Sequence, residues 1–208
     1  MNVHDALATH SPGTLAGGPL AHQRYLLRRR FFNVLHNGFH LYDANGNLVL
    51  FMRQRGFRLK EDLRIFTGED MREEVLRITA RSIIDFGATY DVVDSATGES
   101  LGALRRNGFK SLLKDEWAIL DPMGNEIGLV EEDNLALAIV RRWVWSLVPQ
   151  SFNGSVRGSR AFVFTQRFNP FVLKLELDFS PDTQGLLDRR MGLACALLMS
   201  AIEGRQSE

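Results

Sequence analysis

The chain has 208 residues, 45% hydrophobic and 24% charged, with 25 basic and 25 acidic side chains. That length supports one sizeable core, and the balanced charge excludes a general field drawing the protein to nucleic acid. A single cysteine, Cys195, excludes an internal disulfide framework and fits a reducing compartment.

The opening stretch, MNVHDALATHSPGTLAGGPL, has no basic n-region and no long apolar core, which predicts no signal peptide. Its Gly, Pro, Ser and Thr content predicts a flexible leader over 1–23, ahead of one folded domain over 24–205. Three similar segments follow: LYDANGNLVLFMRQRGF, VVDSATGESLGALRRNGF and ILDPMGNEIGLVEED. Each has an aspartate, a turn ending in Gly, a polar residue and an apolar strand. The first two run on to a basic cluster, to Gly56-Phe57 or Gly108-Phe109, and to KEDLRIF or KDEWAIL. Gly between β-rich runs predicts hairpins, because it adopts positive φ without strain. The recurrence predicts a repeated unit.

Other strands alternate. In VLRITAR, Leu76, Ile78 and Ala80 oppose Arg77, Thr79 and Arg81. In FVLKLELDF, Phe171, Leu173, Leu175, Leu177 and Phe179 oppose Lys174, Glu176 and Asp178. Period two means one buried and one wet face. DNLALAIVRRWVWSLVP predicts a helix, capped by Asp133 or Asn134 and stopped by Pro149. Its Trp143 and Trp145 fit a helix covering a barrel opening, or insertion into a membrane interface beside Arg141 and Arg142.

The chain closes on MGLACALLMSAIE, predicted to be helical, with Ser180-Pro181-Asp182 as its start and Gly204 as its stop. Its uncharged residues, Met191 to Ile202, cover about 18 Å, short of the roughly 30 Å of a hydrocarbon layer. A helix apolar on every side and too short to span is buried in protein. Roughly eleven or twelve strands precede it, and a barrel wider than about eight strands leaves a lumen. The predicted fold is mainly β: a single closed β-barrel of about twelve strands around this buried helix.

Catalytic signals are weak. GESLG matches G-x-S-x-G around Ser100, but it falls in a hairpin turn and not in the strand-turn-helix elbow that motif needs. His36 and His40 lie in a strand-and-turn region, where a spacing of four forms no helical metal pair. Cys195 falls in the apolar helix. No P-loop, dinucleotide fingerprint or zinc spacing occurs. No enzyme activity and no cofactor are expected.

Basic residues carry more signal. Residues 24–64 hold nine basic and three acidic side chains, a net +6 in a neutral chain. One run is Arg28, Arg29 and Arg30. A second is Arg53, Arg55, Arg58 and Lys60, repeated more weakly as Arg105, Arg106 and Lys110. Near an anionic leaflet each such side chain contributes roughly 1 kcal/mol, so the second run and its repeat are the candidate lipid-binding residues.

The segments RYLLRRRFF, LYDANGNLVLFMRQRGFRLKEDLRIF, RITARSIIDFGATYDVVD and LVPQSF, with the final helix, resemble the LURP-one-related and phospholipid-scramblase family, which is akin to the tubby carboxy-terminal domain. The resemblance runs over about residues 24–203. It implies a barrel of about twelve strands around a hydrophobic helix, as reached above, and a non-catalytic role at a membrane. It implies anionic phospholipids or phosphoinositide-like head groups as partners. The scramblase calcium segment would fall on LDFSPDTQGLLDRR, making Asp178, Asp182 and Asp188 weak calcium candidates without the alternating acidic pattern of a calcium loop. The expected protein is therefore cytoplasmic, peripheral at the membrane, and a binder of anionic lipid. The alternatives are a soluble protein–protein interaction module and a carrier of an apolar ligand, which the plug helix disfavours.

Overall fold

The computed structural model of the protein describes residues 18–30, 38–54, 62–82, 88–107, 116–132, 151–167 and 172–206. Twelve strands follow one another: β1 (Arg24–Arg30), β2 (Gly38–Tyr42), β3 (Leu48–Gln54), β4 (Asp62–Phe66), β5 (Glu74–Ser82) and β6 (Thr89–Asp94), then β7 (Ser100–Arg106), β8 (Glu116–Leu120), β9 (Glu126–Glu132), β10 (Ser151–Val156), β11 (Ser159–Arg167) and β12 (Val172–Asp178). One described helix, α1 (Arg189–Gln206), ends the series. Each strand pairs antiparallel with its sequence neighbours. β1 also pairs β12, from Arg24 opposite Asp178 to Arg30 opposite Val172, which closes the barrel. The predicted Trp143–Trp145 helix lies outside the described residues.

The repeated hairpin motif is one local device used three times. Asp43 Oδ1 accepts the amides of Asn45 and Asn47 at 2.9 and 2.8 Å. Asp121 Oδ1 accepts those of Met123 and Asn125 at 2.9 and 2.8 Å. Asp94 Oδ1 accepts those of Ala96 and Thr97 at 2.9 and 3.0 Å. An aspartate that binds amides two to four residues on bends the chain without help from the core. Gly46, Gly98 and Gly124 then complete the turns at φ of 84°, 74° and 88°. The hairpins β2–β3, β4–β5, β6–β7, β8–β9 and β10–β11 each carry a register shift beside the turn, where a bulge bends the strand at the barrel rim. Up-and-down order puts all five turns at one end of the barrel.

α1 enters at that same end. Eleven consecutive residues, Met191 to Ala201, are buried, which covers three turns and so every side of the helix. They share one core cluster with inward residues of all twelve strands, among them Leu27, Phe39, Met52, Ile78, Trp117, Phe164 and Leu177. The helix is the axis of the barrel, which is why it has no polar face. Its one hydroxyl, on Ser200, donates to the Ala196 carbonyl at 2.6 Å, so no polar group is stranded. Gly192 lets the helix approach Phe179: a Cβ there would lie 2.4 Å from that ring's Cε1.

The helix differs from its predicted limits. It begins at Arg189, not near Ser180, and it runs through Gly204 to Gln206. Asp182 spends both carboxylate oxygens on the amides of Leu186 and Leu187, at 2.9 and 3.0 Å, and Gly185 takes φ of 65°. These contacts hold a turn over 180–187. Asp188 is the N-cap, accepting the Arg190 amide at 2.9 Å. Residues 18–23, grouped with the leader by composition, pack on the same end: Leu20 is buried, and Arg189 donates to the Ala21 and His22 carbonyls at 2.7 and 3.0 Å.

Candidate functional site

Antiparallel closure makes the two ends of the barrel electrostatically different. At the turn end Asp43, Glu69, Asp70, Asp94, Glu99, Asp121, Asp178, Asp182 and Asp188 outnumber Arg24, Arg72, Arg157, Arg160, Arg189 and Arg190. At the opposite end the last residues of β1, β3, β7 and β11 contribute Arg28, Arg29, Arg53, Arg105, Arg106 and Arg167. Among the described residues the acidic side chains there, Asp62, Asp91, Glu116, Glu131 and Glu132, are fewer. Among the described residues the charges are thus divided along the barrel axis.

The outer wall of β1–β3 holds the densest arrangement. Phe39, Leu41, Leu50 and Met52 point inward and are at most 1% exposed. Alternation therefore turns His40, Tyr42, Phe51 and Arg53 outward, next to Arg28 of β1. Gly38 leaves room for the Phe51 ring to lie on the wall: a Cβ there would be 2.3 Å from its Cε2. The Phe51 and His40 centroids are 5.1 Å apart, and His40 stacks on Tyr42 at 6.4 Å. The Arg28 guanidinium sits 4.9 Å over the Tyr42 ring. At the other end of the row, Arg53 Nη1 meets Met71 Sδ at 3.7 Å. Glu69 of the β4–β5 turn reaches His40, with Oε1 at 2.5 Å from Nε2.

Of the predicted lipid-binding residues, Arg53 is exposed and its guanidinium pairs with no carboxylate among the described residues. Arg105 instead pairs with Glu126 at 2.9 Å, and Arg106 is half-buried. Arg55, Arg58, Lys60 and Lys110 lie outside the described residues. The Arg28–Arg30 run is not one surface cluster: strand alternation turns Arg29 inward, 6% exposed, over the Phe39 ring at 5.3 Å. Composition and charge do not single out His40, Tyr42 and Phe51 as a site. The alternation of GFHLY could place the first two outward, but an aromatic such as Phe51 reads as core.

The three calcium candidates are not brought together as a site. Asp178 accepts the Ser180 amide at 2.8 Å and pairs with Arg24 at 3.1 Å. Asp182 caps the turn before the helix, and Asp188 pairs with Arg190 at 2.5 Å. Among the described residues no group of three or more metal-ligating side chains converges. Ser100 opens β7 directly after a hairpin turn. Burial pushes the Cys195 thiol up to about 12, so its thiolate is inaccessible at neutral pH. The outer wall elsewhere carries ion pairs such as Arg64–Asp62 at 2.7 Å and Arg167–Glu176 at 2.7 Å, while the interior is apolar apart from a few buried polar side chains such as Arg29. This is the inverse of a membrane-spanning barrel, which faces lipid with an apolar band. Among the described residues no helix is long and apolar enough to cross a membrane.

The turn aspartates make stability acid-sensitive. Asn47 holds Asp43 below the usual carboxylate range, and Asn125 does the same for Asp121. Burial alone would raise Asp94 and Asp178, but amide and arginine hydrogen bonds outweigh it and both end lowered. A carboxyl with a lower pKa in the folded than in the unfolded state stabilises above its unfolded value, and this is lost as pH falls through the folded value. The melting temperature should therefore hold from neutral pH down to about pH 5 and fall below about pH 4. Asp121→Asn should blunt that fall. A wild-type melting temperature unchanged down to about pH 3 would contradict this role for the turn aspartates.

The chain matches no protein-family model and no curated protein.

Proposed function

We propose that this is a non-enzymatic barrel of the scramblase-like or LURP-one-related kind, cytoplasmic and peripheral, which binds anionic phospholipid through basic side chains. The observation that carries the reading is the axial polarity of the described residues: their cations gather at one end, and the turns of the other end are acidic on balance. Such a molecule is oriented by an anionic leaflet, which attracts each nearby cation by roughly 1 kcal/mol. The filled interior also supports it, since a helix occupies the volume in which an apolar cargo would sit. So does the chemistry of the reactive groups, with Ser100 on a hairpin strand and Cys195 buried.

Vesicle co-sedimentation tests the reading. The protein should bind phosphatidylserine-containing vesicles and ignore neutral ones, and binding should weaken steeply with salt because screening acts over about 8 Å at physiological strength. Replacing Arg53, Arg55, Arg58 and Lys60 together with Gln should remove most of it, a loss of roughly 4 kcal/mol. Binding to neutral and anionic vesicles alike would sink the electrostatic reading. A second reading, a protein–protein interaction module, is favoured by Met123. It stands 90% exposed at the tip of the Asp121 turn on the acidic end. Failure to bind any vesicle would favour this reading.

A further inference from the structure

We infer that the outer wall of β1–β3 is the surface this barrel lays against the phosphates of a membrane, and that Glu69 is a built-in competitor holding His40 until those phosphates displace it. The inference rests on the lipid-binding reading and deepens it by naming the face and its regulation.

Most outward arginines of the barrel are neutralised locally. Arg64, Arg105 and Arg167 each have a carboxylate within 2.7 to 2.9 Å, and Arg81 pairs with Asp91. Arg28 and Arg53 break this pattern on the β1–β3 wall, as Arg157 and Arg160 do at the β10–β11 turn. Arg28 lies over the Tyr42 ring and Arg53 touches the Met71 sulfur, and no described carboxylate pairs with either. Two uncompensated cations repel a neighbouring cationic surface and complement an anionic one. Between them lie His40, Tyr42 and Phe51, amphipathic and aromatic groups of the kind that settle at the head-group level of a bilayer. Charge and aromatic character therefore select the same occupant, a sheet of phosphates above hydrocarbon.

Among the described residues Glu69 is the carboxylate hydrogen-bonded to this row. It belongs to the turn between β4 and β5, not to the wall, and its side chain is 64% exposed. It can swing away without disturbing a strand. Its carboxylate accepts from the His40 Nε2–H that a lipid phosphate would otherwise engage, so an arriving membrane must displace it.

The test measures binding to phosphatidylcholine vesicles with and without phosphatidylserine. Arg28→Gln and Arg53→Gln should each weaken binding about fivefold, one cation's share of the attraction. Arg53→Lys, which keeps the charge, should bind like wild type. Glu69→Ala should tighten binding about fivefold. Asp70→Ala removes the same charge from the same turn, but its carboxylate is engaged by Arg72 at 3.2 Å. It should change binding less than about twofold. Wild-type melting temperatures would show that each variant folds. If wild type binds but Glu69→Ala matches Asp70→Ala, or the two glutamine variants match wild type, this inference is overturned while the lipid-binding reading survives. If wild type binds neither vesicle, both fall.

Discussion

Leu197→Asp should abolish cooperative folding. Leu197 is 0% exposed, on a helix surrounded by inward residues of all twelve strands. Losing its burial costs about 1.5–3 kcal/mol. The greater cost comes from the carboxylate, which no cation in that apolar cluster can pair. Burying an unpaired charge costs several kcal/mol more, either directly or through forced protonation. The sum reaches the typical stability margin of about 5–15 kcal/mol. The variant should express as insoluble or molten protein, binding a hydrophobic dye and lacking a sharp thermal transition. Leu197→Met conserves volume and should cost less than about 1.5 kcal/mol, which separates the charge from mere disturbance. A soluble Leu197→Asp protein melting within a few degrees of wild type would show that the helix does not plug the barrel.

Arg190→Met is expected to cost about 2–3 kcal/mol. Arg190 joins the start of the helix to the β6–β7 hairpin, donating to Asp188 at 2.5 Å and to Asp94 at 2.6 Å. Its side chain is 16% exposed and that of Asp94 11%, so both charges are largely out of water and screening is weak. Removing the cation leaves two carboxylates facing one another at the mouth of the barrel. The penalty is mostly that of the stranded anions, so adding Asp94→Asn should recover part of it, and the two changes should not be additive. Hydrogen bonds to Asp188 and Asp94 raise the Arg190 pKa, so the guanidinium is charged throughout the accessible range. Asp94, whose carboxyl is held below the usual carboxylate range by hydrogen bonds that outweigh its burial, is what titrates. The loss should therefore be largest near neutral pH and shrink below about pH 4. Chemical denaturation at both pH values measures this, and equal losses at both would show that Arg190 acts only by packing.

Much of this architecture is legible in the sequence because its signals are local. The Asp–Gly turns need only their own amides and one positive φ, so DANGN, DSATGE and DPMGN announce three hairpins without reference to anything distant. Alternation in VLRITAR sorts Leu76 and Ile78 from Arg77 and Thr79 for the same reason. The apolar helix is legible by exclusion, since a segment too short to span and wet on no side has to be surrounded. Its start is not, because Ser180-Pro181-Asp182 has the composition of a cap, yet Asp182 commits both oxygens to a turn that ends before the helix begins.

The candidate site is legible only in part. A run of basic letters gives net charge, but strand parity splits it, sending Arg29 into the barrel while Arg28 stays outside. Arg53 and Arg105 look alike in sequence, yet Arg105 meets Glu126 across two strands and Arg53 meets a methionine. Which cation is compensated depends on register and on closure between β1 and β12, whose paired Arg24 and Asp178 stand 154 residues apart. By itself the sequence determined the turns, the strand faces and the burial of the helix, because hydrogen bonds within a turn and side-chain periodicity are short-range. Tertiary structure alone decided the axial polarity, the aromatic row on the β1–β3 wall and the grip of Glu69 on His40. Those depend on which distant segments closure brings within a few ångströms, where Coulombic and packing energies first become large enough to matter.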